Sequence, residues 1–416
     1  MKATISIIDR WTKRRGLSSL PPNWRIIRFR ELVENSEYGL GGPTGENGPF
    51  PFLKMNNIDS GRLDLSKCDE VLVSDIDLHE HSLKNGDFLF NRTNSRELVG
   101  KACTFNEKGT FFCASYIVRF ILKKEIVCPE YLNYWWQTNF AKDRLQVLAT
   151  PGVGQVNINP TSLQRDFFLA IAPREEQDEI VKILSRYDYA ISLVEQLISA
   201  KEVLRKGFMQ QLLTGNRRFP GFCKAWRTVK LGEIFSNRTE TNRQGLQLLS
   251  ITGEGGVVSR DSTGRRDTSS EDKSRYLRIC PGDIGYNTMR MWQGVSGLSS
   301  KEGLVSPAYT IVTPDISLDA KFMEVFFKYP QTINLFRRYS QGLVNDTLNL
   351  KFRHFSEIKV TIPEKKEQTK IALVFRLLDQ EIGLLKQEHD ALKEKKKGLI
   401  QQLLTGKKCV KVTEAT

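Results

Sequence analysis

Gly207-Phe208-Met209-Gln210-Gln211-Leu212-Leu213-Thr214-Gly215 returns, 191 residues downstream, as Gly398-Leu399-Ile400-Gln401-Gln402-Leu403-Leu404-Thr405-Gly406. The match extends without a gap back to Glu176-Gln177 in the first copy and Glu367-Gln368 in the second. A chain of 416 residues that repeats a segment at this distance is read as two copies of one plan.

Within the first copy the apolar positions are Ile180, Leu184, Tyr187, Ile191, Val194 and Ile198, then Phe208 and Leu212 beyond the basic Lys201 and Arg205. The second keeps the phase with Ile371, Phe375, Leu378, Ile382, Leu385, Leu392, Leu399 and Leu403, interrupted by His389 and Lys396. Steps of four and three residues are the seam of a coiled-coil helix. Each copy starts just after a proline, Pro173 or Pro363, with Glu and Gln in its first turn, and stops at a glycine, Gly215 or Gly406. A helix of about 36 residues is roughly 54 Å long at 1.5 Å per residue. Such a seam also suits a core helix or a homodimeric zipper, but a zipper gains nothing from two in-phase copies. Pairing within the chain is the simpler expectation, antiparallel, with polar seam positions specifying register.

The regions ahead of the helices echo one another more faintly. Pro22, Trp24, Arg25, Phe29, Glu31 and Leu32 stand against Pro220, Trp226, Arg227, Leu231, Glu233 and Ile234. Gly86-Asp87 and Gly282-Asp283 each open an alternating run that ends in Asn91 or Asn287. A β-type stretch and an aromatic helix follow in both, then a Gly/Gln/Asn-rich loop and a short strand. The expected fold class is α+β, with two globular α/β domains separated by two long helices that pair as an antiparallel coiled coil. Residues 1–172 and 216–362 form the globular domains; residues 173–215 and 363–416 form the central and C-terminal helices, the latter with a tail.

Sixty-two Lys and Arg against 48 Asp and Glu leave a formal net charge of +14, which points to a polyanionic partner. No window approaches 18 uninterrupted apolar residues, so no membrane partner is expected. Asp9, Arg10, Lys13, Arg14 and Arg15 occupy the place of a secretory h-region, so the expected location is the cytoplasm. Seven scattered cysteines without a C-x-x-C read as reduced thiols.

The chain has no G-x-x-x-x-G-K-[ST] phosphate loop and no G-x-G-x-x-G between a strand and a helix. Pro151-Gly152-Val153-Gly154 lacks the third glycine and reads as a turn. His79-Glu80-His81 could supply two metal ligands but sits in a solvated Leu/Asp-rich segment, and none of the four histidines lies in a nucleophile motif. Asn159-Pro160 begins like an amino-methyltransferase Asn-Pro-Pro-aromatic site, yet Thr161 and Ser162 follow. The expectation is no catalytic residue, no metal and no cofactor in this chain.

What remains suits recognition. Asn91, Arg92, Thr93, Asn94 and Arg96 follow the Gly-Asp strand of the first region; Asn287, Arg290 and Trp292, with the basic loop at Arg265 and Arg266, belong to the second. Arg can bond guanine O6 and N7 as a fork, Asn or Gln can do likewise with adenine, and Thr or Met can pack on a thymine methyl. Each group alone reads as an ordinary polar loop; recurrence after the same strand favours function. Gln155 and Asn157 in the first Gly/Asn-rich loop, and Gln341 and Asn345 in the second, form a further candidate surface.

Taken together, the alternation of a variable globular region and a near-identical helix, the Pro173 and Glu176-Gln177 start, the looser Pro363 to Gln368 and the two Gln-Gln-Leu-Leu-Thr-Gly ends resemble the specificity subunit of type I restriction-modification enzymes. The resemblance covers essentially the whole chain. It implies two target-recognition domains, each reading one half of a bipartite, asymmetric double-stranded DNA sequence, with the paired helices as ruler. It further implies two modification subunits that bind S-adenosylmethionine and methylate adenine, docked on the exposed faces of residues 176–213 and 367–404. Restriction subunits, motor and nuclease, would use ATP and magnesium. A specificity chain serving a partner that fuses methylation with cleavage, and a non-DNA scaffold presenting two protein-binding domains, stay open beside it.

Overall fold

The computed structural model describes residues 20–98, 100–152, 154–243, 245–253, 255–264 and 272–410. Two compact units divide the chain: unit 1 is Met1–Val194 with Glu388–Thr416, and unit 2 is Glu195–Gln387. The division cuts through the two long helices, Arg174–Leu212 and Lys365–Leu403, instead of setting them apart as separate segments. The physical reason is burial, because each globular region closes its core over the near end of one helix and the far end of the other.

In unit 1 a four-stranded antiparallel sheet runs in the order Val33–Tyr38, Ile117–Leu122, Phe88–Asn91, Ala102–Thr104. Unit 2 repeats it as Phe235–Asn237, Tyr309–Pro314, Ile284–Asn287, Ser296–Leu298. Each sheet is accompanied by a two-stranded ribbon that joins the start of the globular region to its end, Arg25–Arg28 with Phe168–Ile171 and Arg227–Lys230 with Lys359–Ile362. The repeated Gly-Asp serves the sheet. Asp87 accepts the Lys84 N–H at 2.7 Å and Asp283 the Cys280 N–H at 2.7 Å, closing the turn before the strand. Both carboxylates are buried and each faces a guanidinium, Arg119 Nε at 2.6 Å or Arg238 Nε at 2.7 Å, as a buried charge requires.

The cores are aromatic. In unit 1 Phe29 stands 5.0 Å from Phe120, and Trp136 stands 5.0 Å from Phe88 and 4.7 Å from Phe167, ring centre to ring centre. Ile180 and Leu184 from the first helix and Ile400, Leu403 and Leu404 from the second complete that cluster. In unit 2 Phe235, Phe327, Phe336 and Phe355 are joined by Met209, Leu212 and Leu213 and by Ile371, Ala372 and Phe375.

The two long helices have matching ends, each 39 residues, about 58 Å. Gly215 and Gly406 follow with φ of 73° and 69°, the left-handed conformation that stops a helix. None of the seam positions, Ile180, Leu184, Tyr187, Ile191, Val194, Ile198, Phe208, Leu212, Ile371, Phe375, Leu378, Ile382, Leu385, Leu392, Leu399 or Leu403, is exposed. Within unit 2 the helices run antiparallel, with Lys201 on Glu381 at 2.7 Å and Arg205 on Asp379 at 2.6 Å. In unit 1 Lys396 Nζ donates to Asp188 at 2.9 Å. Asp188–Lys396 and Asp379–Arg205 are the same pair under the 191-residue repeat, with the two helices exchanging roles. Asp188 also accepts Tyr134 Oη at 2.7 Å and meets Arg62. Burial pulls Lys396 below the usual lysine value, against the pull of Asp188.

The Glu-Gln that opens each helix is a clamp. Trp24 Nε1 donates to Glu176 at 3.0 Å, and Trp226 Nε1 to Glu367 at 3.3 Å. Arg218 forks onto Glu367 at 2.9 and 2.7 Å. Gln177 Oε1 accepts the N–H of Cys128, the N-cap of the aromatic helix Pro129–Trp136, at 2.8 Å. Gln368 does the same for Asp319, the N-cap of Ala320–Phe327, at 2.9 Å. Gln177 Nε2 donates to Ala172 O and Gln368 Nε2 to Pro363 O, both at 2.9 Å and both five residues back. The longer Pro363–Gln368 spacing therefore leaves the helix start unchanged, since Pro363 takes the place of Ala172.

Replacing Gln368 by Ala strips a buried carbonyl and a part-buried N–H of their partner, a cost of about 1–3 kcal/mol to unit 2. Hydrogen-exchange protection across Ala320–Phe327 should fall accordingly; unchanged protection would contradict the clamp.

Candidate nucleic-acid interface

The two polar segments singled out in each globular region meet in the structure, and they meet the same way twice. In unit 1 the Ile158 N–H donates to Arg92 O at 2.9 Å, and in unit 2 the Leu350 N–H donates to Thr288 O at 2.9 Å. The residue following the strand is anchored alike, Arg92 N–H to Tyr116 O and Thr288 N–H to Ala308 O, each at 3.1 Å. One backbone bridge thus joins the turn after the sheet to the Gly/Asn-rich loop in both units.

On this frame unit 1 lays a small antiparallel sheet. Thr93–Asn94 pairs with Val156–Asn157, which pairs with Thr150–Pro151. Thr93 stands beside Asn157 in register. Arg96, Gln155 and Asn157 are exposed, and Arg92 lies with its guanidinium 5.2 Å over the Tyr38 ring. Two asparagines do not belong to that surface. Asn91 and Asn94 are buried, and Asn91 Oδ1 turns back to accept the Thr93 N–H at 3.4 Å. The Asn91 amide bonds its own backbone before it can reach a ligand, and the burial of Asn91 and Asn94 corrects the reading of both as contact residues.

Unit 2 repeats the device, with Asn287 Oδ1 accepting the Met289 N–H at 3.0 Å. The turn it shapes exposes Met289 and Arg290. Trp292 is half-buried, bonded through Nε1 to Met289 O at 3.1 Å and covered by the Arg337 guanidinium at 5.7 Å. Arg337 reaches onward to Asn345 Oδ1 at 3.4 Å, tying turn to loop. Gln341 and Asn345 are exposed. From below, Lys328 Nζ donates to Gly294 O at 2.7 Å and Gly253 O at 3.1 Å; burial lowers this lysine to about 8. Arg265 and Arg266 lie outside the described residues. Sequence reading passed over Tyr38, Arg337 and Lys328, whose partners are far away along the chain; only the Arg337-Arg338 pair closing helix Pro330–Tyr339 could have flagged one of them.

Features considered for chemistry have structural roles. Asn159 caps the helix Pro160–Asp166, its Oδ1 accepting the Thr161 and Ser162 N–H groups at 2.9 and 3.1 Å. His79 and Glu80 lie in the short helix Asp75–Glu80, and His81 caps its end beside Asp77. Among the described residues no group of three or more His, Cys, Asp or Glu could hold a metal ion, and no helix is long and apolar enough to cross a membrane. The long helices also carry apolar side chains away from the seam: Tyr189 and Leu193 in unit 1, Leu197, Leu204, Leu373, Leu377 and Leu384 in unit 2.

Residues 36–201 match the family model of the type I restriction modification DNA specificity domain. Over 429 residues, 96% of this chain and 97% of the relative, it is 23% identical to a Methanocaldococcus jannaschii protein described as the type I restriction enzyme MjaX specificity subunit. A second relative from that organism, the MjaVIII specificity subunit, is 23% identical over 94% of each chain. In fold the chain resembles the S subunit of a type I restriction-modification system from M. genitalium, with a TM-score of 0.57, 16% identity and coverage of 93% and 98% of the two chains. The matched specificity domain and the relatives aligned end to end make this chain similar to type I restriction enzyme specificity subunits and support a protein of the HsdS family.

Proposed function

We propose that this chain chooses the DNA sequence on which a type I restriction-modification enzyme acts, and that it does so as a non-catalytic subunit. Unit 1 reads one half of a split, asymmetric target through Arg92, Thr93, Arg96, Gln155 and Asn157; unit 2 reads the other through Arg290, Trp292, Gln341 and Asn345. The observation that carries this reading is the doubled bridge, Ile158 to Arg92 and Leu350 to Thr288, which holds different side chains on the same frame. Equal frames with unequal side chains are what an asymmetric two-part target needs. Guanidinium and amide groups on such turns suit base edges, while the excess of Lys and Arg elsewhere supplies phosphate contacts that position without specifying.

The antiparallel helices set the spacer between the halves in this account. Their exposed apolar residues, Tyr189 and Leu193 with Leu373, Leu377 and Leu384, offer the docking faces for two modification subunits. S-adenosylmethionine belongs to those subunits, and ATP and magnesium to the restriction subunits. This chain contributes the choice of address.

A methylation map of the host genome, with the gene intact and deleted, tests the proposal. Loss of one split adenine-methylated motif on deletion is the expected result, and persistence of every motif in a host whose modification subunit is active would overturn it. Removing seven residues from each long helix keeps the heptad phase and shortens each by about 10.5 Å. The tolerated spacer should then shrink by about three base pairs at about 3.4 Å each; an unchanged spacer would rule out the ruler.

A further inference from the structure

The loop that follows helix Pro330–Tyr339 in unit 2 ends in two apolar side chains held in water. Leu343 is 101% exposed and Val344 60%. The loop beneath them is stiff. Gln341 and Asn349 exchange both backbone hydrogen bonds at 2.8 Å, and Asn349 Nδ2 adds bonds to Gln341 O at 3.0 Å and Thr347 O at 3.3 Å. Thr347 Oγ1 accepts the Val344 N–H at 3.2 Å and donates to Val344 O at 2.9 Å. Gly342 is required for this closure, with φ 145° and no room for a Cβ, which would come within 2.6 Å of Thr347 O.

Rigidity decides what the tip is for. A mobile loop could fold its leucine back onto the domain, whereas this one fixes it outward. Its surroundings are polar and cationic: the Gln341 and Asn345 amides stand on either side, and Arg337 reaches Asn345 from its place over Trp292. A protein-docking patch would spread its apolar area over neighbours. A single apolar point flanked by amides and a guanidinium matches a DNA groove, where Leu, Ile, Phe or Met side chains enter between base steps and the polar flanks hold the strands.

We propose that Leu343, backed by Val344, is a wedge that enters the duplex at the half-site of unit 2 and unstacks one base step there. The matching loop of unit 1 closes with the Gly152 N–H bonded to Gln155 O at 2.8 Å, its tip residue Val153 lies outside the described residues, and the wedge is proposed for unit 2 alone. The inference rests on the specificity reading above and adds distortion of DNA to contact with it.

The test uses the full chain assembled with its modification subunits and duplexes carrying the split target, with 2-aminopurine placed at successive positions in and beside the half-site of unit 2. Binding should raise the fluorescence several-fold at one step other than the adenine that is methylated. Leu343→Ser should return that signal to the level of DNA without protein, leave the salt dependence of binding unchanged because phosphate contacts remain, and spare the other half-site. Leu343→Met should keep the signal. A signal that survives Leu343→Ser, or the absence of any unstacked step in a complex that still selects the split target, would overturn the wedge alone. Loss of assembly with the modification subunits in Leu343→Ser, without change in the signal, would make the tip a protein contact and also overturn it. A wild-type complex that selects no split target would remove the specificity reading, and the wedge with it.

Discussion

Four buried polar side chains, Glu176, Gln177, Glu367 and Gln368, govern the arrangement of everything else in their units. At the start of a helix, buried among aromatic residues, a carboxylate and an amide are costly unless they are hydrogen-bonded. Meeting that demand fixes a tryptophan from the start of the globular region and the N-cap of its aromatic helix to the same helical turn. With those two points held, the ribbon that joins the region's beginning and end has one place to lie. The sheet is then set, and the turn that leaves it emerges at the same point of each unit. A clamp of this kind lets the outward loops differ, because nothing in it depends on them.

The helix seam obeys a related logic. A purely apolar seam would tolerate sliding by a heptad, while Asp188 with Lys396, and Asp379 with Arg205, tolerate one register within their own unit. The burial that weakens Lys396 as a charge is opposed by the Asp188 carboxylate, while the Arg62 guanidinium on that same carboxylate adds to the weakening. That these pairs exchange helices under the repeat shows how one sequence, written twice, builds both of its own partners.

The helices were legible in the sequence because a period of 3.5 residues, repeated ends and a stop glycine are local signals. The landmarks Gly-Asp and Trp-Arg were legible as landmarks, but their work was not, since the partners of Asp87 and Asp283 lie tens of residues away at Arg119 and Arg238. The candidate surface was legible in outline only. Composition placed Arg, Asn and Gln in the right segments, yet could not tell Asn91 and Asn94, which turn inward, from Asn157 and Asn345, which do not. For Asn91 that difference is made by a strand end folding onto its own amide. Nor could it foresee the single backbone bond that brings the two segments of each region together, because Arg92 and Ile158 are joined only once the sheet has formed.

On the function proposed, each unit reads its half of the target independently on a shared plan. A methylation map of a strain carrying Arg290→Ala tests it most directly, since Arg290 stands exposed on the turn of unit 2 and takes part in neither clamp. One half of the methylated motif should become degenerate while the other half and the spacer stay fixed. Equal degeneration of both halves would contradict it.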